Sequence, residues 1–282
     1  MRCWSCRARF GINRCAPADL LGLLGARHAG RVEPGGPYNP ERDPQTGVLN
    51  ATTIASFSQA LADAVTDVIR RGEFPIVLGG DCSILLGGLL ALRRRGHYGL
   101  LFIDGHADFY QPSANPNGEV ASMELALATG RGPDVLSNLE DLRPLVRDDD
   151  VVAFGIRDGQ QQATYGSQPL PPALLSLELT EIQRLGVDAT ITEAVAHLTR
   201  ADGPRSGFWI HVDTDVLDDA VMPAVDYRLP GGLSWESLTR ALHVATRSDR
   251  AVGLEVTIYN PTLDKQGDGA RRLVRALADA LV

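Results

Sequence analysis

From Phe74 onward the chain alternates short apolar runs of β type with stretches of helical periodicity, and that alternation leaves few folds open. Strands separated by helices run in the same direction, so they pair in parallel, and the helices cover both faces of the sheet. The expected fold class is therefore α/β: a single three-layer domain, a mostly parallel sheet with helices on both faces. Strands are predicted at Phe74 to Leu78, Tyr98 to Ile103, Val151 to Ile156, Leu174 to Leu179, Phe208 to Val212 and Ala251 to Ile258. Helices are predicted at Thr52 to Arg70, Ser83 to Arg95, Ala121 to Thr129, Ala189 to Arg200 and Gly267 to Leu281. One more is expected to run to about Thr246 from Ser234, its N-cap, with Ser237 at the third helical position. Residues 30–50, rich in Pro and Gly, read as surface loop or linker. The organisation is an irregular N-terminal segment over 1–50 and one domain over 51–282.

Three of these strands end in clusters of chemically active residues: Asp81-Cys82-Ser83, Asp104-Gly105-His106-Ala107-Asp108 and Asp213-Thr214-Asp215. Residues two apart on an extended chain share a side, so Asp104, His106 and Asp108 can converge, as can Asp213 and Asp215. Ligands of open α/β sheets bind beyond the carboxyl ends of the strands, where these clusters fall. Together with the Cys82 thiol they form a ligand set sufficient for two divalent cations with shared aspartates. Burying that much negative charge without a cation would be very costly. Arg157-Asp158 and Asn260 fall at the same rim. Asp81 and Asp158 read as groups that fix neighbouring loops, and Asp218 as structural.

Composition excludes other classes. The formal net charge is −8, from 27 basic and 35 acidic residues, so nucleic acid and anionic membrane are not expected as main partners. The longest apolar stretches, such as Ile84 to Leu92, are far short of the roughly 20 residues that span a bilayer. Cytoplasmic localisation is the expectation, and a homo-oligomer is left open. Four cysteines do not make a disulfide framework in a chain of 282 residues. Cys3, Cys6 and Cys15 lack a nearby fourth zinc ligand and read as exposed thiols in a poorly ordered leader.

The motifs resemble those of the ureohydrolases, the arginase, agmatinase and formiminoglutamase family. Gly79-Gly80-Asp81-Cys82 matches Gly-Gly-Asp-His, and Asp104 to Asp108 matches Asp-x-His-x-Asp. Asp213 to Asp219 matches Asp-x-Asp-x-x-Asp-Pro, followed by Pro230-Gly231-Gly232-Leu233. Gly155-Ile156-Arg157-Asp158 and Asn260-Pro261 add weaker matches, all in family order from roughly residue 50 to the C-terminus. The resemblance implies Cys82, Asp104, Asp108 and Asp213 around one metal, and His106, Asp104, Asp213 and Asp215 around the other. Two Mn²⁺ ions suit such donors, with Zn or Fe as alternatives because of the thiol. A hydroxide held between the cations would attack a C=N carbon, with Asp108 as the catalytic residue that aims it.

Departures from the family narrow the substrate. Cys82 stands at a histidine position, Ala121-Ser122-Met123 replaces a His-Gly that shuttles protons, and Ile258 replaces the glutamate that grips guanidinium. His211, just before Asp213, is read as facing the opposite side of its strand, and Glu255 as facing opposite to Ile258. Tyr110, Asn117 and Gln160 occupy places where arginases hold the amino-acid end of arginine, and Asp226 and Tyr227 replace small residues after the Asp pair. The expected function is metal-dependent hydrolysis of a guanidino- or amidino-type C–N bond in a small cationic or amidine substrate, inefficient on L-arginine. The alternative is a non-catalytic or regulatory relative that keeps the metal. The strand and Gly/Pro-rich loop with which ureohydrolases begin are not found.

Overall fold

Six parallel strands form one sheet in the order β1-β6-β5-β2-β3-β4, in a computed structural model that describes residues 17–204 and 206–282. The strands are β1 (Ile76–Leu78), β2 (Gly99–Ile103), β3 (Val151–Phe154), β4 (Leu175–Leu177), β5 (Phe208–Asp213) and β6 (Ala251–Thr257). Every residue of β2, β3 and β5 is buried, which accounts for their near-continuous apolar sequences. The α/β fold expected from the sequence, a parallel sheet with helices on both faces, is the fold observed. Its two outermost strands are β1 and β4, and among the described residues β1 pairs with β6 alone.

Alternation sorts the strand residues between two cores. Leu100, Phe102 and Trp209 pack under α2 (Ala51–Arg70), α3 (Leu85–Arg93) and α4 (Glu124–Ala128). Leu101, Ile103, Phe208, Ile210 and Val212 pack under α8 (Val187–Leu198), α9 (Trp235–Thr246) and α10 (Asp268–Leu281). Helix α3 is apolar all round and buried from Leu85 to Leu92, because it lies between the sheet and α2. Gly88 lets it settle: a Cβ there would stand 3.0 Å from Trp209 and 3.1 Å from Glu255 Oε2. Helix α9 begins as expected, with the Ser234 side chain accepting from Ser237 N.

Four helices were not anticipated: α1 (Pro17–Leu24), α5 (Asp134–Ser137), α6 (Gly159–Tyr165) and α7 (Leu179–Leu185). Helix α6 buries none of its residues, so it carries no apolar period to read. The helix expected from Ala121 is broken at Met123 (φ −133°), giving a 3₁₀ turn over Val120–Ser122 before α4. Cys3, Cys6 and Cys15 lie outside the described residues. No helix among the described residues is long and apolar enough to cross a membrane.

Candidate metal centre

The same local device shapes three strand exits. Asp104 Oδ1 accepts from His106 N at 2.7 Å, and Asp213 Oδ1 accepts from Asp215 N at 2.7 Å. Each aspartate thereby caps the turn that follows its strand, and the residue two further on is folded back beside it. After β1, Asp81 Oδ1 accepts from Ser83 N (3.0 Å) and Ser83 Oγ (2.5 Å), capping the 3₁₀ turn Cys82–Ile84. That turn aims Cys82 Sγ at Asp213 Oδ2, 2.7 Å away, and at Thr257 Oγ1, 3.2 Å away. Asp108 takes the left-handed conformation (φ 45°) that bends the chain at the end of its cluster.

Arg157 and Asp158 tie these loops together. The Arg157 guanidinium donates to the carbonyls of Asp215 (2.7 Å), Leu229 (3.2 Å) and Leu217 (3.3 Å), and Asp158 Oδ1 accepts from Ala107 N at 3.2 Å. Gly105 is required where the two loops meet, since a Cβ there would lie 2.3 Å from Arg157 Nη1 and 2.9 Å from Asp215 O. His106 Nδ1 stands 3.0 Å from Asp215 Oδ2. The six residues expected as ligands are all buried at this rim.

Two groups of donor atoms converge, each with its atoms within 4.8 Å of one another. One is Asp104, His106 and Asp215. The other is Cys82, Asp104, Glu124 and His211, two of which the sequence reading missed. His211 precedes Asp213 by two positions, not one, so alternation puts both on the same face, which corrects the expectation that His211 points away. Its Nδ1 is 2.7 Å from Glu255 Oε1, and its ring stacks on Phe102 (centroids 4.8 Å apart, planes within 6°). Glu255 lies within β6 with its carboxyl at His211, on the side of the site, whereas Ile258 falls just after the strand at φ 67°, where alternation no longer applies. Glu124 opens α4, immediately after the run matched to the missing His-Gly, and its carboxyl sits against Asp108. The signal for it was its place in an apolar helix turn with no basic residue beside it.

Burial, then repulsion by neighbouring carboxylates, pushes the carboxyl groups of Asp104, Glu124 and Asp213 well above their ordinary range. Burial pushes Asp108 to about 6. Burial and the carboxylates around it also push the Cys82 thiol up. Against burial, Asp215 and its neighbours raise His106 to about 10, and His106 with Arg157 holds Asp215 low. Asp104 Oδ2 and His211 Nε2 are buried with no hydrogen-bond partner, and both oxygens of Glu124 are buried with only the Asp108 carboxyl, and no N–H or hydroxyl donor, against them. Buried acceptors are ordinarily satisfied, and here the missing partner fits a divalent cation.

The expected substrate residues divide into two sets. Asn117 Nδ2 donates to Glu119 Oε2 (2.8 Å) and Tyr227 Oη (2.9 Å), while Tyr227 Oη donates to Glu119 Oε2 (2.8 Å). Asp226 accepts from Asn260 Nδ2 at 2.8 Å. Asp226 and Tyr227, with Glu119, Ala121 and Ile258, line one end of a cavity of about 1280 Å³ whose apolar end lies against α1, α2 and β1. Tyr110 and Gln160 are not brought to that cavity. Tyr110 is buried with its ring edge-on to Tyr165 (centroids 6.4 Å apart), and Gln160 is exposed on α6.

The family model described as the Arginase family matches residues 36–282. The arginase of Bacillus subtilis (strain 168) is 30% identical over 237 residues, covering 81% of this chain and 76% of its own. The arginase of Brevibacillus brevis is 29% identical over 226 residues, covering 80% and 74%. The solved arginase of Bacillus caldovelox superposes with a TM-score of 0.81 at 24% identity, covering 98% of this chain and 90% of that one.

Proposed function

Because this chain belongs to the arginase family, whose hydrolases act on amidino C–N bonds, we propose that it is a cytoplasmic, metal-dependent hydrolase of a small guanidino or amidino compound other than L-arginine. The observation that supports this reading is that Asp104, His106 and Asp215 converge to within 4.8 Å, with Asp104 also meeting Cys82 in a second group and Cys82 Sγ 2.7 Å from Asp213 Oδ2. Two Mn²⁺ ions are the proposed cofactors, with Zn or Fe as alternatives favoured by the thiol. Cys82, Asp104, Asp108 and Asp213 would hold one, and Asp104, His106, Asp213 and Asp215 the other. When bound, the cations lower the pKa of water and offset negative charge that develops during the reaction.

The side chains supply the rest. Asp108 orients the attacking water and takes its proton. As water adds to the planar amidino carbon and the C–N bond breaks, the departing amine recovers that proton from Asp108. Asp226 offers a carboxylate to a cationic substrate, with Tyr227 beside it in the cavity lining and Asn117 holding the Tyr227 hydroxyl. Ala121 transfers no proton and Ile258 offers no charge to guanidinium, and these two losses argue against arginine. They equally favour the second reading, a metal-holding regulatory protein without turnover.

The deciding experiment reconstitutes the full chain with Mn²⁺ and assays arginine, agmatine, guanidinobutyrate, N-hydroxyarginine and formiminoglutamate. Turnover of one of the last four, with arginine weak or inert, is the expected outcome. No turnover of any compound supports the regulatory reading, and robust arginine hydrolysis overturns the substrate assignment.

A further inference from the structure

We propose that Cys82, Asp104, Glu124 and His211 form a deep transition-metal site that selects zinc over manganese. This site takes Cys82 and Asp104 from the first cation assigned above and puts Glu124 and His211 in place of Asp108 and Asp213, and its test does not depend on substrate turnover.

Four observations support it. First, Cys82 Sγ, a carboxylate oxygen from each of Asp104 and Glu124, and a His211 ring nitrogen lie within 4.8 Å of one another. All four residues are buried, with Asp104, Glu124 and His211 at 0% exposure. Second, Asp104 Oδ2 and His211 Nε2 have no hydrogen-bond partner, and the Glu124 carboxyl meets no N–H or hydroxyl donor, only the carboxyl of Asp108. A network built for structure alone would satisfy them, because each buried orphan costs about 1–3 kcal/mol.

Third, the imidazole is prepared as a ligand. Glu255 holds Nδ1 at 2.7 Å, so the proton sits there and the Nε2 lone pair faces the other three donors. Carboxylate, histidine and metal in line is a recurring arrangement at zinc sites, and stacking on Phe102 fixes the ring plane. Fourth, His211 Nε2 is 3.9 Å from Asp104 Oδ2, too far for a hydrogen bond. Two ligands of one tetrahedral zinc ion stand roughly 3–4 Å apart, given metal–ligand bonds of about 2.0–2.3 Å. One thiolate, one imidazole and two carboxylates suit zinc better than manganese, which prefers an oxygen-rich octahedron.

The test uses the full chain, stripped of metal and equilibrated with Co²⁺ alone. The first equivalent is expected to give a thiolate-to-cobalt charge-transfer band, and one equivalent of Zn²⁺ should abolish it. Cys82→Ser should remove the band. His211→Gln and Glu124→Gln should each weaken the first equivalent by about 10-fold or more. If His211→Gln and Glu124→Gln both bind the first equivalent as the parent chain does, the proposal is wrong.

Should those variants misfold, X-ray absorption of the His106→Asn protein loaded with one equivalent of Zn²⁺ decides instead. Sulfur together with imidazole scattering supports the site, and sulfur with oxygen alone overturns it. None of these readouts depends on hydrolysis, so failure of the proposed activity and failure of this site are separately visible.

Discussion

At the scale of single residues, two kinds of position control the centre: those that donate to a metal and those that make room for donors. Asp104 belongs to both converging groups, so Asp104→Ala should lower metal stoichiometry at both, whereas Asp215→Ala should affect one. Elemental analysis of the reconstituted proteins distinguishes these outcomes. Glu255→Gln, which keeps volume but removes the charge behind His211, should weaken the first metal equivalent by about 10–100-fold at unchanged stoichiometry. Gly105→Ala should cost about 1–3 kcal/mol in urea denaturation, because its Cβ meets the Arg157 side chain and the Asp215 backbone together. The sequence was informative here wherever spacing alone decides side. Asp104, His106, Asp213 and Asp215 follow from a period of two. His211 follows from the same period once the count from Asp213 is made correctly. Glu124 does not, since it reaches the cluster from a helix that crosses over the sheet, and no local pattern reports that crossing.

At the scale of elements, strand ends and caps were legible, while short turns without an apolar period were not. The Ser234 cap is a case in point: its hydroxyl answers an orphan N–H at the start of α9, and Ser234→Ala should lower stability by about 1 kcal/mol in thermal or chemical unfolding. The 3₁₀ turns at Cys82–Ile84 and Thr214–Val216 were hidden, although each is capped by an aspartate that the motifs already singled out. Recognising those aspartates as caps as well as donors would have placed the turns. Helix α6 was unreadable for a different reason, having no buried face at all.

At the scale of the whole molecule, alternating strands and helices announced a parallel sheet, but the order β1-β6-β5-β2-β3-β4 could not be read, because it depends on which strands meet far along the chain. The centre makes this molecule sensitive to pH in a definite direction. Asp104, Glu124 and Asp213 hold protons in the folded metal-free protein that the unfolded chain releases above about pH 4. Folded-state values above unfolded ones mean stability present at low pH and lost as pH rises through the folded values. His106, raised to about 10, acts in the same direction above about pH 6.5. The melting temperature of the metal-free protein should therefore fall between pH 5 and 8. Saturating metal should reverse the trend, because protons and cations compete for the same atoms. Calorimetry at several pH values, with and without metal, checks both slopes.

The position of the cluster also bears on time. Asp104 follows β2 and Asp213 ends β5, the two central strands, and Cys82 sits in the turn that leads into α3, so the donors of the deeper group are anchored in the part of a protein that normally opens last, while substrate meets only the rim. Metal occupancy then records the order of arrival: the ion present while the chain folds is retained, and a competitor offered later waits on rare unfolding events. Release of a radiolabelled ion from the folded protein should proceed at the rate of its slowest-exchanging backbone amides, not at the rate of diffusion into a pocket.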